Sequence, residues 1–263
     1  MSVVLERMRL DGKAALVTGG SQGLGLAMAG ALADAGADIA IVARRKDRLE
    51  EATRVLEARG GRVVPLQADL STAEEAMAVV DRAAEALGGL DVFVAAAGTQ
   101  LRKPALDVTP DEWDRVVAVN LKAVYFGCQR AATHMLARPR GDEGACRGKI
   151  ITLASLTAVS AWQDVSVYGM TKGGVVQLTK ALALELASEG IAANAIGPGT
   201  FPTELTEPLY SNDDRTRQIL SRLPLGRPGS GEDLAGLTVL LASPASDYIT
   251  GQVFWVDGGW SIT

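Results

Sequence analysis

Tyr168 and Lys172 stand four residues apart in the stretch SVYGMTKGG, Ser166 to Gly174. If that stretch is helical, the two side chains share one face a turn apart, and the ammonium group can act on the phenol. A free tyrosine titrates near pH ~10 and is a poor base at neutral pH. A close cation favours phenolate, and lowering the pKa by about two is worth roughly 2.7 kcal/mol. Such a phenol can take the proton of an alcohol while hydride leaves the same carbon, and can return it in the reverse direction. The competing reading is packing alone.

A tyrosine and lysine can work this way only if the fold holds them at the edge of a ligand cleft. Short apolar runs suited to strands begin at Ala14, Asp38, Gly61, Leu90, Gly148, Ile191 and Gln252. Between them lie Ala- and Leu-rich helical patterns such as GLAMAGALADAG and AEEAMAVVDRAAEALG, which end at Gly36 and Gly88 as C-terminal caps would. Apolar strands alternating with helices indicate βαβ units around a buried parallel sheet. The expectation is an α/β fold: one doubly wound Rossmann-type domain over residues 1–263, with a seven-stranded parallel sheet between two helix layers. No linker or internal repeat divides the chain. The Pro-rich segment at about 200–230, from Phe201 to Arg227 at its core, reads as an insertion over one end of the sheet that could close on substrate.

Composition narrows the function. With 263 residues, 48% of them apolar, the chain can bury a substantial core. A formal charge of -5 and the lack of a basic run with interleaved aromatics argue against a nucleic-acid surface and favour a small-molecule partner. Glu6, Arg7 and Arg9 interrupt the N-terminal stretch before a signal-peptide apolar region develops, and no later run reaches membrane-spanning length, so no membrane association and a cytoplasmic location are expected. Cys128 and Cys146 are expected to be reduced thiols, and two cysteines with the single His134 make a poor metal set, so no metal is assigned. His134, near a helix end, is expected to be solvated.

Directly after the first strand, TGGSQGLG places Gly19, Gly23 and Gly25 where a tight turn leads into a helix. Missing side chains there let backbone N–H groups and the helix N-terminus approach a pyrophosphate. The spacing, TGxxxGxG, resembles the short-chain dehydrogenase/reductase family, and further matches extend that resemblance over nearly the whole chain. By order and spacing, Asn120 in AVNLKAVYFG, Ser155 in ITLASLT, Tyr168 and Lys172 match the family's catalytic tetrad. The resemblance implies that Ser155 orients the substrate oxygen and that Asn120 helps connect Lys172 to solvent through water. It also implies a cofactor site made by Gly19, Ser21, Gly23, Leu24, Gly25, Asp69, Leu70, Gly98, Tyr168, Lys172, Pro198, Gly199 and Thr203. Asp69 would lie beside the adenine, and Pro198, Gly199 and Thr203 beside the nicotinamide.

Two departures stand out. AAAG, Ala95 to Gly98, replaces the family's asparagine-containing NNAG, so its side-chain hydrogen bonds must be replaced or absent. YGMTK replaces YxASK, and Met170 is expected to enlarge the wall near the site. At the end of the second strand, where an acidic residue commonly selects NAD, the chain has Ala43 followed by Arg44 and Arg45. A guanidinium pairs bidentately with phosphate, so NADP is the expected cofactor, with Arg44 the main contact and Arg45 secondary; NAD remains usable. The alternative for these arginines is pairing with Asp47 or Glu50.

Within the family, the chain resembles the sugar-acid branch, similar to gluconate 5-dehydrogenases and 2-deoxygluconate 3-dehydrogenases. A 3-oxoacyl-acyl-carrier-protein reductase shares the same machinery and would need a basic docking patch, for which Arg102, Lys103, Arg138 and Arg140 are available. A non-catalytic nucleotide-binding protein is the alternative from another class. The resemblance also implies a homotetramer, to which Phe254, Trp255 and Trp260 would contribute aromatic surface.

Overall fold

Each of the seven apolar runs forms a strand: β1 Ala14–Thr18, β2 Asp38–Ala43, β3 Val63–Gln67, β4 Val92–Ala95, β5 Gly148–Leu153, β6 Ile191–Pro198 and β7 Val253–Val256. The computed structural model describes residues 2–139, 144–206, 210 and 213–263. The strands make one parallel sheet in the order β3-β2-β1-β4-β5-β6-β7.

Successive residues of a strand face opposite sides, and the sequence supplies apolar residues to both. On β1, Leu16 enters one core while Ala15 and Val17 enter the other. The first core is covered by α4 Ala73–Leu87, α6 Ala123–Leu136 and α7 Ser166–Leu186. The second is covered by α2 Gly23–Asp34, α3 Lys46–Glu57 and α9 Glu232–Ala242. A short α1 Val3–Arg7 precedes β1, α5 Pro110–Val117 precedes α6, and α8 Asp213–Ser221 lies between β6 and α9. Helix α4 stops at left-handed Gly88, as expected, and α2 ends with Ala35 as its cap, one residue before Gly36.

Strand order reverses between β1 and β4. Connections leave in opposite directions there, so a crevice opens outside the carboxyl ends of these strands. The glycine loop after β1, the ends of β2, β4 and β5, and the segment after β6 all reach it.

Candidate active site

The crevice is a cleft of about 640 Å³, a size ordinary for ligand pockets. It gathers Gly19, Ser21, Gly23, Leu24 and Gly25 from the first loop and Arg44 and Arg45 from the end of β2. Asp69, Leu70 and Gly98 follow β3 and β4, Ser155 follows β5, Tyr168 and Lys172 come from α7, and Pro198, Gly199 and Thr203 from β6 and beyond. Asn120 alone of the expected site residues stands behind the wall.

Two glycines answer to close approach. Gly19 has φ +69°, and a Cβ there would meet the Ala97 Cα at 2.8 Å. At Gly199 a Cβ would come within 2.6 Å of the Asp257 Cα. Side chains at these points would push the loops out of place, so the backbone-lined cradle suits a dinucleotide's phosphates next to the start of α2. The departure at Ala95 to Gly98 is compensated locally: the Thr18 hydroxyl donates to Val94 O at 3.4 Å and accepts from Ala97 N at 3.3 Å.

At the other end, α7 confirms the helical spacing. Lys172 is buried, its Nζ 5.7 Å from the Tyr168 ring centre and donating to Leu153 O at 2.6 Å. Burial without a carboxylate partner pulls its pKa down to about 8. For Tyr168 the outcome differs from the expectation. Burial raises the phenol's pKa, and the opposing pull comes from a hydrogen bond with Ser155 and the charge of Arg102, rather than from Lys172. The ammonium is committed to a carbonyl and lies over the ring, so removal of water from the phenol outweighs it.

Ser155 also accepts from Thr157 N and Thr157 Oγ1 at 3.2 and 3.0 Å, which fixes its hydroxyl at the end of β5. Asn120 is fully buried in a π-helical turn, Ala118–Lys122, between α5 and α6. Its Oδ1 accepts from Thr99 N and its Nδ2 donates to Thr99 O, both at 2.8 Å, with a further bond to Thr171 Oγ1 at 3.3 Å. It thereby holds the chain after β4 against α7. π-turns often mark functional positions.

At the β2 end, Arg44 is exposed at the cleft and has no ion-pair partner among the described residues. Arg45 pairs with neither Asp47 nor Glu50: it bonds Glu204 at 2.9 Å and the Gln22 side chain. Asp69 accepts from Ser71 N at 3.1 Å, shaping the turn after β3.

Three expectations are corrected. Met170 is 47% exposed and lines an outer groove with Trp113, away from the cleft; two residues along a helix turn a side chain about 200° from Tyr168. His134 is not simply a solvated ring: it is part-buried and its Nε2 lies 2.6 Å from Asp81 Oδ1, which Arg130 also engages. Trp260 is not outer surface but buried, stacked on Trp162 with ring centres 5.1 Å apart. Trp162 lines the cleft, so the tail supports its wall. Arg102, read from sequence only as a docking residue, also lines the cleft. The signal was available in its position just after β4, where open α/β sheets place ligand residues.

Comparison with known proteins agrees with this geometry. The family described as enoyl-(acyl carrier protein) reductase matches residues 19–261. The chain is 40% identical to 2-dehydro-3-deoxy-D-gluconate 5-dehydrogenase of Escherichia coli, covering 98% of this chain and 99% of that one. It is 35% identical to gluconate 5-dehydrogenase of Gluconobacter oxydans, over 97% and 96% of the two chains. A gluconate 5-dehydrogenase from Burkholderia cenocepacia, solved in complex with NADP and tartrate, superposes with a TM-score of 0.91 at 36% identity, covering 98% of this chain and 99% of that one. With a family match over most of its length and relatives of this identity from end to end, the chain belongs to the short-chain dehydrogenase/reductase family and is an oxidoreductase.

Proposed function

We propose that this oxidoreductase interconverts a secondary alcohol and a ketone on a sugar acid, using NADP(H) in preference to NAD(H). The observation that carries the substrate class is Arg102. Its guanidinium lines the same cleft as Ser155 and Tyr168, and its charge reaches the phenol. A cation in the same cleft as the proton-transfer group suits a carboxylate-bearing substrate, which a guanidinium can hold bidentately. The relatives named for gluconate and its dehydro-deoxy derivative support the same class, as does a neighbour with tartrate, a hydroxy acid, in its complex.

In this reading the glycine loop from Gly19 to Gly25 holds the cofactor pyrophosphate, Arg44 the ribose phosphate, Asp69 and Leu70 the adenine side, and Gly98, Pro198, Gly199 and Thr203 the nicotinamide side. When bound, the nicotinamide supplies or accepts hydride at the carbon bearing the oxygen. Ser155 hydrogen-bonds that oxygen and holds it against the Tyr168 Oη. The raised pKa keeps Tyr168 protonated at neutral pH, the form that gives a proton to a carbonyl oxygen. Oxidation needs the phenolate, which Ser155 and Arg102 favour. Lys172 anchors the helix at Leu153 and brings an ammonium group to the cofactor cleft, while Asn120 fixes the wall behind it.

A carrier-protein reductase is less well supported, because of the residues suited to docking Lys103 is bound to Glu112 and Arg138 to Asp91; Arg140 lies outside the described residues. The intact arrangement of Ser155, Tyr168 and Lys172 argues against a purely nucleotide-binding protein. The proposal includes one domain over residues 1–263 with the segment at about 200–230 as substrate loop, and a cytoplasmic homotetramer. Exposed Trp113, Tyr125, Met170 and Leu184 on α5, α6 and α7 support self-association. No described helix is long and apolar enough to cross a membrane.

A turnover screen across aldonates, keto-aldonates, polyols and acetoacetyl thioesters with both cofactors tests this reading. An aldonate or keto-aldonate should head the ranking, and Arg102→Ala should raise its KM far more than that of a neutral polyol. A thioester turned over with much higher kcat/KM than any sugar acid would overturn the reading.

A further inference from the structure

Three separate parts of the chain meet at Arg45. The Arg45 guanidinium donates from Nη1 to Glu204 Oε1 at 3.3 Å and from Nη2 to Glu204 Oε2 at 2.9 Å, a two-pronged pair. The Gln22 side-chain oxygen accepts a further bond from Nη2. Gln22 belongs to the glycine loop, Arg45 to the end of β2, and Glu204 to the segment after β6, yet all three line the cleft. The contact therefore ties the cofactor's phosphate end to the start of the substrate segment. Next to it, Arg44 has no ion-pair partner among the described residues.

We propose that Glu204 is a cofactor-selectivity residue that competes with the phosphate of a phosphorylated nicotinamide cofactor for Arg45. This rests on the NADP(H) reading above. Glu204 is ionised, since the hydrogen bond and charge of Arg45 hold its carboxyl below the usual range. The pair is half exposed, with side-chain exposures of 46% and 55%, and exposed ion pairs are weak enough to open readily. A phosphate dianion carries more charge than a carboxylate and offers the same geometry to a guanidinium, so it can displace Glu204. Gln22 would keep Arg45 oriented through the exchange. Until displaced, the carboxylate occupies the Arg45 guanidinium and withholds it from the incoming phosphate. Glu204 thus sets the preference for the phosphorylated cofactor below what two adjacent arginines would give, and a cofactor lacking that phosphate leaves the contact in place.

Kd values for NADPH and NADH, measured by fluorescence titration in the parent, Glu204→Gln, Arg45→Ala and the double variant, test this. Removing the carboxylate's charge should tighten NADPH by about 3- to 10-fold, the range of one modest ion pair, and leave NADH within about twofold. In the Arg45→Ala background the Glu204→Gln gain should vanish. An unchanged NADPH Kd, an equal shift for both cofactors, or a gain that persists without Arg45 would each overturn the proposal. Parent protein that favours NADH would defeat the NADP(H) reading alone; the selective response of NADPH to Glu204→Gln would still decide the role of Glu204.

Discussion

Lys172 lies with its Nζ 5.7 Å from the centre of the Tyr168 ring and sends its hydrogen bond to the Leu153 carbonyl, 2.6 Å away, rather than to the phenol oxygen. The two side chains share a helix face, but the lysine lies over the ring and anchors α7 to the end of β5. Burial without a carboxylate then draws the lysine down to about 8.

That burial makes Lys172 a stability liability with a defined pH window. The folded value of about 8 lies below the ordinary 10.5, so between these values the unfolded chain binds more protons, and stability rises with pH through that window. Below pH ~8 the full penalty of about 3 kcal/mol applies, offset by the hydrogen bond to Leu153 at about 1 kcal/mol. Lys172→Met should therefore be more stable than the parent by about 2 kcal/mol at pH 7 while losing turnover and cofactor affinity. Urea unfolding at pH 7 and 10 checks this: the advantage should shrink at the higher pH, and a difference independent of pH would contradict it.

Arg44 should carry the phosphate contact. Arg44→Ala is expected to weaken NADPH binding by roughly 10- to 100-fold, on the order of 1.5–3 kcal/mol, and to leave NADH nearly unchanged. Calorimetric titration of both cofactors reads this directly. An unaltered preference would mean that the phosphate binds elsewhere.

The tail should matter to substrate through Trp162. Aromatic stacking adds about 0.5–1.5 kcal/mol beyond burial, and Trp260 spends its stacking on a residue of the cleft wall. Trp260→Ala should raise substrate KM several-fold with cofactor Kd unchanged, and Trp260→Phe should restore most of it. Equal losses in both variants, or a parallel loss of cofactor binding, would indicate a general structural role.

Oligomeric state can be read by light scattering. The exposed apolar residues of α5, α6 and α7, among them Trp113 and Leu184, are expected to be covered by other copies at micromolar concentration. A monomer there would refute self-association.

Local rules made much of the molecule legible. The strands were visible because parallel strands buried on both faces read as continuous apolar runs, and the glycine loop because Gly19 and Gly25 leave no room for a side chain while Gly23 adopts a positive φ. The facing of Met170 also followed from helical periodicity but was missed by treating nearness in sequence to Tyr168 as nearness in space. Other features depended on distant partners. Trp260 folds onto Trp162, His134 meets Asp81 from another helix, and Glu204 reaches back to Arg45. Single-sequence patterns carry no information on such pairings. The tyrosine's raised pKa was missed for a related reason: the sequence displays the neighbouring charge but not the loss of water around the phenol.

The most direct test of the account is the initial rate of NADPH-linked reduction of the best keto-aldonate by the parent and by Tyr168→Phe, with NADPH Kd measured on the same samples. The substitution removes only the proton-bearing oxygen, so the rate should fall by about 10²- to 10⁴-fold while Kd stays within about twofold. A variant that keeps a rate within a few-fold of the parent would contradict the assignment of Tyr168 as the group that moves the proton.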